Sequence, residues 1–311
     1  MRAIGLSEFG GPEVLQALDL PLPEVRSGEI RIRVAAATVN PVDAMVRKGL
    51  AFVSDAAPPY VPGMEAAGVV DRIGDGVSTD LVVGDRVIAI AVVSGTHGAY
   101  ADYLVVPADS VVRAPANARD VEAATLPMNG LTACMALDLL KLPTGGSVAV
   151  VGGAGAVGGY AVQLAKADGF RVIADAAPGD LHRVKELGAD MVFPRGDDFP
   201  ELVRQEIPQG VDGLVDTAGI VVSVARAVRD GGRIVTSAPG APLATERGIV
   251  TERTFVPDYS RNRSALDRLR ELTDAGRITL RVARALPAEQ AVEAHRLLET
   301  GGLWGRIVLT F

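Results

Sequence analysis

The sequence predicts an α/β protein of two parts: a β-rich, barrel-like domain and a doubly wound parallel-sheet domain. Three observations carry this. Residues 1 to about 115 read as short strands broken every ten residues or so by Gly and Pro. From Ser147 strand and helix alternate, as in repeated βα units. After about Thr254 the alternation stops, leaving a tail too short to fold alone that is expected to complete one of the two domains. A length of 311 residues is long for a single core, which also favours two domains.

In the first part Glu29–Val34 alternates, with Ile30, Ile32 and Val34 on one side and Arg31 and Arg33 on the other. Gly68–Ile73, Arg86–Ala91 and Tyr103–Val106 are further short strands. Asp120–Ala124 opens a helix, Thr125–Pro127 breaks it, and Leu131–Leu140 begins another. Ser147–Val151 is a strand buried on both faces, Val157–Asp168 a helix, and Arg171–Asp175 the next strand. Asp180–Leu187 is a short helix. Met191–Phe193, Asp212–Asp216 and Arg233–Ser237 are strands separated by helices near Glu201–Glu206 and Val221–Arg229. The tail reads as helix Ser264–Ala275, strand Leu280–Ala283, helix Ala288–Glu299 and strand Gly305–Thr310.

Composition excludes several functions. A net charge of −7 argues against a nucleic-acid partner. Hydrophobic residues come in short runs, none near the roughly 20 needed to cross a bilayer, so no membrane partner is expected. A soluble, cytoplasmic protein is the simplest expectation. The lone Cys134 cannot form an intramolecular disulfide, a C-x-x-C pair or a four-cysteine zinc site. With only three histidines, no metal site is expected. No G-x-S-x-G nucleophile turn occurs, and Cys134 reads as a packed small hydrophobe.

Gly153-Ala-Gly155-Ala156-Val157-Gly158 matches G-x-G-x-x-G, after an apolar strand and at the start of a helix. In that context Gly153 permits the tight turn, Gly155 admits a pyrophosphate, and Gly158 allows close helix–strand packing. The helix N-terminus offers unpaired N–H groups to phosphate. A G-K-[ST] phosphate loop is excluded. An acidic residue about 20 positions on holds the ribose of NAD in such turns, and Asp175 lies near that place. Strand parity leaves a second option, with Ala176 as the selecting position and a 2′-phosphate tolerated. His182, Arg183 and Arg195 are the basic groups available for one.

A series of ordered segments runs through the chain: Asn40-Pro-Val-Asp43, Pro62-Gly-Met-Glu-Ala-Ala-Gly-Val-Val70, Val83-Gly-Asp-Arg-Val87, Gly98-Ala-Tyr-Ala-Asp-Tyr103 and Leu126-Pro-Met-Asn-Gly-Leu-Thr-Ala133. It continues through Gly152–Lys166, Glu186-Leu-Gly-Ala-Asp190, Asp230-Gly-Gly-Arg233 and Ala294-His-Arg-Leu-Leu-Glu299 before Gly305-Arg-Ile-Val-Leu309. In these segments, and over essentially its whole length, the sequence resembles the zinc-independent quinone oxidoreductase branch of the medium-chain dehydrogenase/reductase superfamily. The resemblance has consequences for fold and chemistry. It implies a GroES-like domain, 1–115, completed by 255–311, with a Rossmann NADP-binding domain, 116–254, inserted and a cleft between them for nicotinamide and substrate. Zinc-dependent alcohol dehydrogenases of the superfamily have Cys in place of Asn40 and His in place of Met64. Alcohol oxidation without that Lewis acid is hard to support, so the implied reaction is hydride transfer to a quinone or an α,β-unsaturated carbonyl.

The resemblance further implies NADPH, with Ala176 at the selecting position, although Pro194 stands where relatives often have tyrosine, next to Arg195. Asn40, Asp43 and Tyr60 are the catalytic candidates: Asn40 as a donor to substrate or ribose, or a turn residue before Pro41; Asp43 in proton relay, or as a helix N-cap; Tyr60 as a donor, or a stacked loop residue. Asn40, Thr132, Gly153, Gly155, Ala156, Val157, Gly158, Ala176, Arg195, Ala218 and Ala238 are the cofactor candidates, with Asn129 beside Thr132. Glu65 and His97 have no partner evident from sequence. A homodimer acting on a small quinone or enone is expected. The alternatives are an enoyl-thioester reductase and a cofactor-binding protein with little turnover.

Overall fold

A computed structural model describes residues 1–52, 57–244 and 246–311. Its chain forms two compact units, 1–128 with 260–276 and 280–311, and 129–259 with 277–279.

The first unit begins with an antiparallel pair, β1 (Arg2–Gly5) and β2 (Gln16–Asp19). Strand β3 (Glu29–Val39) is the spine of the unit and runs five residues past the alternation read from sequence. Its continuation is built of small residues: Ala36 and Ala37 are fully buried opposite Ala67 and Ala66. Helix α1 (Pro41–Arg47) follows at once. Strand β4 (Glu65–Ile73) pairs with β3, and β5 (Arg86–Ile90) with β4. Strand β6 (Tyr103–Pro107) returns to β3, and β7 (Val111–Arg113) to β5, all antiparallel. Alternate residues Ile30, Ile32 and Val34 point into a core shared with Leu6, Val70, Val87, Leu104 and Leu309.

Helix α2 (Asp120–Ala123) belongs to this unit rather than to the parallel-sheet unit, so the first unit extends past residue 115. Two bonds fasten the segment: Thr38 Oγ1 donates to Ala124 O at 2.7 Å, and Met128 N donates to Glu65 Oε2 at 2.7 Å. The division falls within helix α3 (Pro127–Leu140). The stretch Asp120–Leu140 is long and apolar enough by composition to cross a membrane, but 83% of its apolar window is buried inside the protein.

The second unit contains β8 (Ser147–Val151), α4 (Ala156–Ala167), β9 (Arg171–Ala176), α5 (Leu181–Glu186) and β10 (Met191–Pro194). It continues with α6 (Phe199–Glu206), β11 (Val211–Asp216), α7 (Val221–Val224), β12 (Val228–Thr236) and β13 (Val250–Arg253). The sheet order is β10-β9-β8-β11-β12-β13, every pair parallel. Chain order reverses between β8 and β11, and open α/β sheets bind ligands at the carboxyl ends of strands at such a point. Two sequence readings need correction here. The expected helix Val221–Arg229 is one α turn followed by a 3-10 turn, Ala225–Ala227, and ends there, because Val228 already pairs with Val211 of β11. A sixth strand, β13, was not foreseen.

The tail supplies α8 (Arg263–Asp274), β14 (Val282–Pro287), α9 (Ala291–Thr300) and β15 (Arg306–Thr310). Strand β15 lies antiparallel to β3 and parallel to β14, giving the order β14-β15-β3-β4-β5-β7. Strand β14 starts two residues later than the sequence suggests. Residues 277–279 stay with the second unit because Thr279 N donates to Gln163 Oε1 of α4 at 2.8 Å.

Candidate functional site

The second unit's candidate site is the turn between β8 and α4. Gly152, not Gly153, takes the left-handed conformation, with φ of 83°, so the tight turn sits one residue earlier than the motif suggested. A Cβ there would lie 2.2 Å from Thr217 Oγ1, whose hydroxyl donates to Val151 O. A Cβ on Gly158 would lie 2.1 Å from Gly152 O, so the first turn of α4 packs directly on the loop and only glycine fits. Gly155 is the N-cap of α4 and is exposed. A Cβ on it would meet only Gly152 O, at 3.1 Å, leaving its outer side open to a ligand. Ala156 and Val157, at the start of α4, are half-buried.

Asp175 holds this turn from β9. Its Oδ1 accepts from Gly152 N at 2.5 Å, its main-chain O accepts from Gly153 N at 3.2 Å, and Oδ2 accepts from Arg195 Nε at 3.3 Å. Its side chain is 2% exposed. Ala176, the other selecting candidate, is fully buried. Arg195 is exposed, with its N donating to Ala176 O at 2.8 Å. His182 and Arg183 pair with Glu186 and Asp180 on or beside their own helix, α5.

At the carboxyl ends of β11 and β12, the buried Asp216 organises the next two loops. Its Oδ1 accepts from Ala218 N and Gly219 N, both at 2.9 Å, and its Oδ2 accepts from the Thr236 hydroxyl at 3.0 Å. Thr236 Oγ1 in turn accepts from Ala238 N at 3.2 Å. One carboxylate thus sets both Ala218 and Ala238, a role invisible in the sequence because its partners come from different strands. Thr132 and Asn129 lie on α3, both buried.

The first unit holds two of the three catalytic candidates, Asn40 and Asp43, in a closed polar cluster. Asn40 is fully buried, caps α1, and donates from Nδ2 to Glu65 Oε1 at 2.7 Å. Asp43 is the third residue of α1 and not its N-cap. Its Oδ2 accepts from Asn40 N at 2.8 Å, reaching back to a helix-start donor, and its Oδ1 accepts from Gly63 N at 2.9 Å. The Tyr100 hydroxyl lies 3.4 Å from Asp43 Oδ2 and 3.3 Å from His295 Nε2. Burial pushes Asp43 and Glu65 up to about 7 each, against the pull of their hydrogen-bond donors. Burial pushes His295 down to about 3, so the imidazole is neutral, and among the described residues its Nδ1 has no hydrogen-bond partner. Glu65, Tyr100 and His295 were missed as site residues. Glu65 has the partners that sequence could not supply, Asn40 and Met128. Tyr60 stacks on Phe9 with ring centroids 5.1 Å apart, as a loop packing residue does.

The positions that resemblance assigns to zinc ligands fit zinc poorly. Asn40 is an amide committed to Glu65, and Met64 is a fully buried thioether. Zn²⁺ sites are built from His, Cys and carboxylate, and among the described residues no group of three or more His, Cys, Asp and Glu could hold an ion.

Comparisons with known proteins place this geometry. Residues 26–116 match the alcohol dehydrogenase GroES-like domain, and residues 187–309 match the family described as zinc-binding dehydrogenase. The NADPH-dependent alkenal/one oxidoreductase of Arabidopsis thaliana chloroplasts is 30% identical over 99% of this chain and 79% of its own length. A solved NAD-dependent alcohol dehydrogenase is 33% identical, with a TM-score of 0.88 and complete coverage of both chains. The quinone oxidoreductase of Coxiella burnetii is 30% identical at a TM-score of 0.88, covering 100% of this chain and 99% of its own. Two joined units, one with the doubly wound sheet and its glycine turn, define a dinucleotide-type oxidoreductase. The chain belongs to the medium-chain dehydrogenase/reductase superfamily, in the branch that holds the quinone oxidoreductases.

Proposed function

We propose that the protein is an NADPH-dependent reductase that transfers hydride to a quinone or an α,β-unsaturated carbonyl without zinc. The observation that carries this is the glycine turn: Gly155 leaves an open cradle at the start of α4, while Gly152 and Gly158 have no room for side chains. The turn fits a pyrophosphate, whose charge the N-terminus of the 12-residue helix α4 favours. When bound, the dinucleotide supplies the hydride. Ala156 and Val157, the first residues of α4, offer main-chain N–H groups to its phosphates; the Gly155 N–H already donates to Gly152 O, so Gly155 contributes close approach, and Asp216 orients the loops at Ala218 and Ala238. Asn40 and Glu65 shape a rigid, buried polar wall in the first unit.

Relatives support the substrate class and NADPH by name, while one similar solved structure is that of an NAD-dependent alcohol dehydrogenase. The poor fit of Asn40 and Met64 to zinc favours an acceptor that is already electrophilic. A cytoplasmic homodimer completes the reading, checked by fractionation and sedimentation. The main test is NADPH oxidation with 1,4-benzoquinone, 9,10-phenanthrenequinone and a small enone, before and after dialysis against a chelator. Turnover that survives chelation is expected. Turnover lost to the chelator and restored by Zn²⁺ would overturn the zinc-free reaction, and tight NADPH binding with no turnover on any acceptor would overturn the enzyme.

A further inference from the structure

Asp175 has the residue type and position that would give an NAD-binding turn its ribose carboxylate. Its bonds point to a different task. One oxygen is taken by Gly152 N and the other by Arg195 Nε, and only 2% of its side chain is exposed. Arg195 is fixed from both ends: its main-chain N donates to Ala176 O, and its Nε donates to Asp175. Its side chain is still 51% exposed, and among the described residues its two terminal nitrogens carry no hydrogen bond. A guanidinium held through Nε, half exposed and with its terminal nitrogens not engaged among the described residues, suits the bidentate geometry that phosphate takes from arginine.

We propose that Asp175 is a positioning residue that selects NADPH: by gripping the glycine turn and Arg195 Nε together, it aims the Arg195 guanidinium at the 2′-phosphate of the cofactor. This rests on the reading above that a dinucleotide occupies the turn. The carboxylate that would mark an NAD enzyme is thereby turned to recognition of the phosphorylated cofactor. It also explains how a 2′-phosphate is tolerated beside an acid, since the Asp175 charge is paired with Arg195 and not presented to the ligand. His182 and Arg183, committed to acids around α5, do not duplicate the role.

The test is a double-mutant cycle read as dissociation constants of NADPH and NADH, measured by titration calorimetry on wild type, Asp175→Asn, Arg195→Ala and the double variant. Asparagine keeps an acceptor for Gly152 N but removes the charge that holds Arg195. Each single variant should lose roughly tenfold in NADPH affinity, as expected for one charge-assisted contact, while NADH affinity moves less than about twofold. The double variant should lose no more than Arg195→Ala alone, because both changes disable one contact. Arg195→Lys should recover only part of the loss, since an ammonium cannot keep the Asp175 bond and the bidentate grip together. Additive losses would overturn the coupling, as would an equal fall for both cofactors, which marks a loop-folding role. A fall for NADH alone would return Asp175 to the ribose. Wild type that binds neither dinucleotide would remove the underlying reading, an outcome separate from failure of the pairing in a protein that still binds NADPH.

Discussion

The glycine turn of the second unit and the Asn40–Asp43–Glu65 cluster of the first handle buried carboxylates in opposite ways. The Asp175 carboxylate meets one main-chain N–H, that of Gly152, and a cation, Arg195, and it braces a surface kept open by missing side chains. Glu65 meets two neutral donors, Asn40 Nδ2 and Met128 N, in a cluster where Asn40, Asp43 and Glu65 are all fully buried. One acid sits beneath a turn whose outer side is open. The other locks three segments together and has its affinity for protons raised by burial. Buried polar residues therefore need not be reagents, and their partners separate a brace from a reactive group.

The largest effect expected is at Gly158. Its Cβ would stand 2.1 Å from Gly152 O, a main-chain atom that cannot swing aside. Gly158→Ala should cost about 3 kcal/mol or more by overpacking and abolish dinucleotide binding, read by thermal unfolding and cofactor titration. A variant as stable as wild type would show that the turn has slack, weakening the contrast with the closed cluster.

Next comes Glu65→Ala, which leaves the buried Asn40 amide and Met128 N without their acceptor. Two unsatisfied donors should cost about 2–4 kcal/mol together, measured by denaturant unfolding. The same site predicts the pH response. Asp43 and Glu65 stand at about 7 in the folded chain, against ordinary values of 3.8 and 4.5. The folded state then holds more protons than the unfolded chain across that window, so stability falls as pH rises from roughly 4.5 to 7. Glu65→Gln, destabilised overall, should show a shallower fall over that range. A wild-type profile that rises through the window would mean that the hydrogen-bond donors outweigh burial and that both carboxylates are ionised throughout.

These two regions also differ in how much a sequence can say about them. The glycine turn is local: its determinants lie within Gly152–Gly158, and strand periodicity places β8, α4 and β9 around it. Even there the motif points to Gly153 for the tight turn, whereas the positive φ falls at Gly152, where Thr217, just past β11, leaves no room for a side chain. The first unit's cluster joins residues 25 and 63 positions apart. No periodicity links Glu65 to Asn40 or to Met128, so Asn40 and Asp43 were legible as residues of interest but not as an interlocked brace. The tail is legible as incomplete and the resemblance assigns it to the first unit; what no local pattern shows is the β3–β15 pairing by which it completes that unit. Likewise Val221–Arg229 has the composition of a helix, and its shortening follows from a pairing at Val228 that no local pattern announces.

The smallest stability effect is expected at Gly155, and it isolates what the open turn is for. Gly155 has φ of −67° and ψ of 169°, an ordinary extended conformation for any residue. Its added Cβ would touch only Gly152 O, at 3.1 Å. Gly155→Ala should therefore change stability by less than about 1 kcal/mol, the scale of an N-cap substitution. The methyl group would nonetheless stand on the outer side, where a pyrophosphate must approach the main chain closely. NADPH affinity should fall well beyond the change in stability, and Gly158→Ala should lose both. If Gly155→Ala binds NADPH as tightly as wild type, the phosphates do not pass over Gly155, and the open side of the turn is a folding requirement like the closed side.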